Sequence, residues 1–124
     1  MINKGGDTTL QWEHLSTTAF VEACKEVEGV CILPFGVLES HGPHLPLGTD
    51  IIEAKTIAVE AASIEPAVVF PSYYFGQLAG AQHIPGNICV RHDLLMQMLE
   101  EICEEISRNG LHKIVIFNAH GGNA

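Results

Sequence analysis

Residues 30–50 read VCILPFGVLESHGPHLPLGTD. The first six, Val30 to Phe35, are a nearly continuous apolar run closed by Gly36, which predicts a strand covered on both faces. The rest carries Glu39, His41, His44 and Asp50 among glycines and prolines, a loop stocked with carboxylate and imidazole groups.

Working outward, the chain alternates. Ser16 is placed to cap a helix over Thr17 to Val27, where Phe20, Val21, Cys24 and Val27 recur at helical spacing and Gly29 ends the run. After the histidine-rich loop, Ile51 to Ser63 reads as a helix and Ala67 to Pro71 as a second buried strand. Asp93 to Asn109 reads as a long helix with Gly110 at its C-cap, and Lys113 to Phe117 as a third apolar strand. Strands alternating with helices predict an α/β fold of three layers, with a parallel central sheet and right-handed crossovers.

A chain of 124 residues with 47% hydrophobic content supports one core, so residues 1–124 are expected to form a single domain. Six basic against fifteen acidic residues give a formal charge of −9 with no basic run, which argues against a nucleic-acid partner and for a small polar substrate. The start, MINKGGDTTLQWEHL, has no basic stretch leading into an apolar one, and no later run suits a membrane span. A soluble cytoplasmic protein is expected. Cys24, Cys31, Cys89 and Cys103 lie in apolar neighbourhoods without a Cys-x-x-Cys pair, which predicts buried free thiols.

In open parallel sheets, ligands bind outside the carboxyl ends of the strands. Two polar strings follow apolar strands here: ESHGPHLPLGTD at 39–50, and NAHGGN at 118–123. Taken singly, Glu39 reads as a surface carboxylate, His41 as a solvated loop histidine, and Asp50, with Glu53 three residues on, as a helix cap. Taken together they change meaning. A Glu and a His two apart in extended backbone, and an Asp nine residues past that His across a tight Gly-Pro turn, can converge on a metal, and His120 joins them from the second string. His44 is a further ligand or a group orienting a carboxylate. The loop at 72–90, with Tyr73, Tyr74, Gln77 and His83, leaves the second strand on the same side and is expected to form a substrate wall.

The run Glu-x-His-Gly-Pro-His-Leu-Pro-x-Gly-Thr-Asp, followed by Asn-x-His-Gly-Gly-Asn, resembles the creatininase (creatinine amidohydrolase) family in residue types, spacing and order. The resemblance spans the chain as the N-terminal half of such a protein. It implies a metal-dependent amidohydrolase that forms a homo-oligomer, in a family that includes creatininase, a deformylase of flavin and deazaflavin biosynthesis, and a peptidase of mycofactocin maturation. It further implies that Asp50 bridges two metals, that Glu39 and His120 complete the first site, and that His41 contributes to the second. In creatininase a glutamate two residues after the second-motif histidine ligates the second metal. This chain has Gly122 there, which points away from creatinine as the substrate.

The expected function is therefore metal-dependent hydrolysis of a non-peptide or cyclic amide C–N bond. Zinc suits the nitrogen and oxygen donors, and manganese or iron suits the carboxylates. The general acid or base is not identifiable in these residues and is expected in a C-terminal half beyond them, so that the 124 residues alone are expected to be inactive and prone to associate. Two other readings stay open: a non-catalytic metal-binding or interface module, and a metal-mediated phosphate- or sugar-binding domain.

Overall fold

The structure, a computed structural model, describes residues 10–124. The first nine residues of the stretch read for a leader lie outside them. The elements in chain order are β1 (Leu10–Gln11), a 3-10 turn (Trp12–His14), α1 (Thr17–Glu26), β2 (Val30–Phe35), α2 (Thr49–Ile64), β3 (Val68–Val69), α3 (His92–Arg108), β4 (Lys113–Asn118) and a terminal 3-10 turn (Gly121–Asn123). The four strands form one parallel sheet in the order β1-β3-β2-β4.

Side-chain alternation along β2 explains the layers. Cys31, Leu33 and Phe35 face one side, where they meet Ala23 of α1, Val27 at its C-cap, and Leu95 and Ile106 of α3. Val30 and Ile32 face the other, packing with Val69 against Ala58 and Ala62 of α2. Both faces of β2 are thus covered, as its unbroken apolar run requires. The small alanines on α2 suit a helix lying close to the strands.

The predicted caps hold in part. Ser16 Oγ accepts a hydrogen bond from the Ala19 backbone N–H at 3.2 Å and starts α1. Gly110 follows α3 in the left-handed conformation, φ +99°. Ser16→Ala is expected to cost about 1 kcal/mol, read as a lower urea midpoint at unchanged slope. An unchanged midpoint would show that the cap contributes nothing.

Two expectations, the length of the second strand and the burial of the cysteines, are corrected. Of the two ways to read Asp50, the helix cap is not the one formed: α2 begins at Thr49 with Gly48 at its N-cap, and no side chain bonds there. That frees the Asp50 carboxylate for other partners. The strand read at Ala67 to Pro71 is only two residues of regular ladder, because Phe70 onward turns toward the loop. The strand at Lys113, expected to end the sheet, is an edge, paired among the described residues to β2 alone, and leaves Val115 and Ile116 exposed. Of the four free cysteines only Cys31 is fully enclosed, where burial pushes its thiol pKa up to about 12; Cys24, Cys89 and Cys103 are half-buried. Among the described residues no helix is long and apolar enough to cross a membrane.

Candidate metal centre

Both histidine strings leave the carboxyl end of neighbouring strands, β2 and β4, whose pairing runs as far as Phe35 with Asn118. Ala119 N then donates to the Phe35 carbonyl at 2.9 Å, carrying the second string alongside the first. Within the first string, Glu39 N donates to the Leu47 carbonyl at 2.9 Å, which closes the intervening loop. Gly36 allows the close approach of α2: a Cβ there would lie 2.9 Å from Ile51 N and 3.1 Å from the Asp50 carbonyl carbon.

These constraints bring Glu39, Asp50 and His120 together, with one ligand atom from each lying within 4.8 Å of the others. His120 Nδ1 is 3.1 Å from Glu39 Oε2 and 3.0 Å from Asp50 Oδ2. His41 Nε2 lies 2.9 Å from the other oxygen, Asp50 Oδ1. Asp50 thus stands between two imidazoles, one at each carboxylate oxygen.

The hydrogen bonds decide what those contacts are. His120 Nε2 lies 3.0 Å from the Gln77 main-chain carbonyl. A carbonyl brings no proton, so the ring donates from Nε2, and in the neutral imidazole Nδ1 is left with a lone pair. Asp50 Oδ2 is buried and has no hydrogen-bond partner despite its nearness to His120. Three lone-pair atoms therefore face one another in a pocket where the Asp50 and His120 side chains are only 8% and 10% exposed. Without a positive charge such an arrangement is costly. A second ring proton on Nδ1 or a divalent cation ligated by Glu39, Asp50 and His120 would resolve it, and the donor set of two carboxylates and one imidazole fits such an ion.

His41 repeats the pattern more openly. Its Nδ1 bonds the Glu39 main-chain carbonyl at 2.9 Å, leaving Nε2 toward Asp50. The Glu39 carbonyl raises the His41 pKa most, followed by the Asp50 and Glu39 charges, against a desolvation that lowers it.

Other predicted residues divide. Gln77 is at the centre, through its main chain rather than its side chain. Tyr73 is buried against Phe35, ring centroids 4.8 Å apart, and builds the core under the site. His44, Tyr74 and His83 are exposed and lie outside the ligand cluster. Two scaffold residues were not foreseen. Asn118 Oδ1 accepts from His120 N at 3.2 Å and its Nδ2 donates to the His120 carbonyl at 2.9 Å, which shapes the turn. Asn123 Oδ1 accepts from Gln77 N at 2.9 Å, tying the 72–90 loop to the second string. Asparagines at both ends of a glycine-rich string are the signal that marked them, since Asn readily bonds local backbone.

A sequence model of the family described as creatinine amidohydrolase matches residues 13–124. The chain belongs to the creatininase family. Among curated relatives, the creatinine amidohydrolase of Pseudomonas putida is 28% identical over 120 residues, covering 93% of this chain and 44% of that protein. A 2-amino-5-formylamino-6-ribosylaminopyrimidin-4(3H)-one 5'-monophosphate deformylase of Methanococcus voltae is 29% identical over 115 residues, 90% and 42% of the two chains. A creatininase structure described with manganese superposes with a TM-score of 0.84 at 24% identity, covering 94% of this chain and 47% of that one. One described as a zinc–zinc type reaches 0.85 with the same identity and coverage. The four-stranded parallel sheet and three helices are therefore a creatininase-type α/β arrangement, and the chain spans about half the length of the curated relatives it matches.

Proposed function

We propose that this creatininase-family chain supplies the metal centre of a hydrolase that cleaves a non-peptide or cyclic amide C–N bond. The observation that carries the reading is the meeting of Glu39, Asp50 and His120, with an imidazole lone pair and an unpartnered carboxylate oxygen turned toward each other. The names of the two relatives, an amidohydrolase and a deformylase, both denote hydrolysis at an amide-type nitrogen, and structures of creatininase are described with manganese and with a zinc pair.

In this reading Glu39, Asp50 and His120 would hold one divalent cation, and Asp50 with His41 would contribute to a second. Zinc is the expected ion, with manganese or iron compatible with the same donors. When bound, a divalent cation here supplies Lewis acidity, lowering the pKa of water toward ~7 and polarising an amide carbonyl. The chain's own residues do the rest. The Asp50 carboxylate presents one oxygen to each imidazole, and the Gln77 and Glu39 main-chain carbonyls orient the two rings. Tyr74, His83 and His44, exposed on the loops beside the centre, are the proposed substrate contacts. Leu47 packs over Gly86, its Cδ1 2.5 Å from where a Cβ would stand, so the two loops that carry His44 and His83 are in contact.

The leaving nitrogen needs a proton donor, and no group in the cluster is free of a ligand or orienting role. The protein is proposed to be a homo-oligomer, with that donor a residue other than Glu39, His41, Asp50 and His120. The test is elemental analysis of the purified protein, followed by hydrolysis of cyclic-amide and formamide substrates with added zinc or manganese. Stoichiometric metal with turnover by the intact protein is the expected result. Absence of bound metal after reconstitution would sink the reading, whatever the activity.

A further inference from the structure

The contact that sets the His120 ring is built from a place with no side chain. A Cβ on Gly122 would stand 2.5 Å from Gln77 O and 2.5 Å from His120 Nε2, in the space where those two atoms meet. On the other side, a Cβ on Gly76 would stand 2.6 Å from Asn123 Oδ1, the atom that accepts from Gln77 N. Two gaps thus flank one peptide. The Gln77 side chain is held as well: Cys89 Sγ donates to its Oε1 at 3.0 Å, Leu78 N donates to Cys89 Sγ at 3.3 Å, and Gly76 bridges Cys89 through the backbone. Gln77 is anchored at its N–H and its side chain, which leaves its carbonyl as a fixed acceptor aimed at His120.

We propose that the Gln77 carbonyl, aimed by Asn123 and Cys89 and left accessible by Gly122, is the positioning element that locks His120 with Nδ1 toward Glu39 and Asp50 and so sets the cation affinity of the centre. The inference rests on the cation reading above. It gives a physical reason for glycine at 122 in this chain: with the Gln77 carbonyl and the His120 ring placed as they are, a Cβ there meets both at 2.5 Å. A ring free to exchange tautomers would offer Nδ1–H to the carboxylates part of the time. That form is satisfied without a cation and competes with binding.

The test compares the wild-type protein with Gly122→Ala and Asn123→Ala. Zinc and manganese chlorides are the probes, with affinity read by chelator competition and the His120 ring tautomer by long-range proton–nitrogen NMR of the cation-free protein. Residue 122 is exposed in a terminal turn, so the alanine should leave the thermal midpoint nearly unchanged. Expected are a loss of about 10–100-fold in affinity for both variants and a shift of His120 from Nε2–H alone to mixed tautomers. Variants that bind as wild type and retain the Nε2–H ring overturn the proposal. So does a loss of affinity that tracks a fall in midpoint with the tautomer unmoved, which would mark a merely structural role. A wild-type protein that keeps the Nε2–H ring but binds neither ion overturns the cation reading and, with it, the assignment of affinity to the lock.

Discussion

Asp50→Asn is expected to abolish cation binding while leaving the cation-free protein no less stable. The side chain is 8% exposed, its Oδ2 lacks a hydrogen-bond partner, and both its oxygens face imidazole nitrogens. An unsatisfied buried acceptor costs roughly 1–3 kcal/mol, and an asparagine amide turned toward His120 Nδ1 supplies the missing donor. The same change removes the charge that two cation positions share. The wild-type protein should therefore gain about 2.7 kcal/mol of stability at a zinc concentration one hundred times its dissociation constant, and the variant none. His44→Ala, altering an exposed ring outside the cluster, should bind nearly as wild type. Melting curves with and without zinc, paired with equilibrium dialysis, check both. Equal metal content in Asp50→Asn and wild type would remove Asp50 from the centre.

Gly36→Ala is expected to destabilise the fold by about 1–3 kcal/mol and to weaken cation binding together with it. The new Cβ meets backbone rather than a yielding side-chain tip: Ile51 N at 2.9 Å and the Asp50 carbonyl carbon at 3.1 Å. The first turn of α2 must move away from the end of β2, and Asp50 moves with it while His120, held from β4 and Gln77, stays. Urea unfolding gives the stability, and chelator competition on the folded protein gives the affinity. A variant with wild-type stability and affinity would mean that this approach is slack. The two glycines near the centre then differ in kind: position 36 couples packing to the site, whereas position 122 serves the ring alone.

Some of this was readable from residues. The apolar run Val30 to Phe35 can satisfy its side chains only if both faces are covered, so an inner parallel strand followed directly. The caps at Ser16 and Gly110 are local chemistry and needed no tertiary information. Glu39, His41, Asp50 and His120 were singled out because residue type and the strand-end location of both strings pointed to one rim. By contrast, β1 at Leu10–Gln11 is too short to show a period, and it exists because β3 offers it a ladder and Trp12 packs on Phe20 and Phe70. The regular part of β3 shrinks for a related reason, since Phe70 N and Tyr73 N bond carbonyls of β2 while the chain bends toward the loop.

What the sequence alone determined, then, is the layer order, the strands that end at the rim, and the four residues that gather there. These rest on periodicity and on chemistry carried within a few residues. Which oxygen of Asp50 faces which imidazole, which nitrogen of His120 meets the Gln77 carbonyl, and what a side chain at residue 122 would meet were decided only in three dimensions. Each depends on a main-chain carbonyl, at Glu39 or Gln77, and every residue but proline carries the same carbonyl and N–H pair, so no residue type announces the one that will be aimed. His44 and His83 show the same limit from the other side: histidines near the motifs look alike in sequence, and only the packing of α2, β4 and the 72–90 loop separated the two that meet Asp50 from the two left facing solvent.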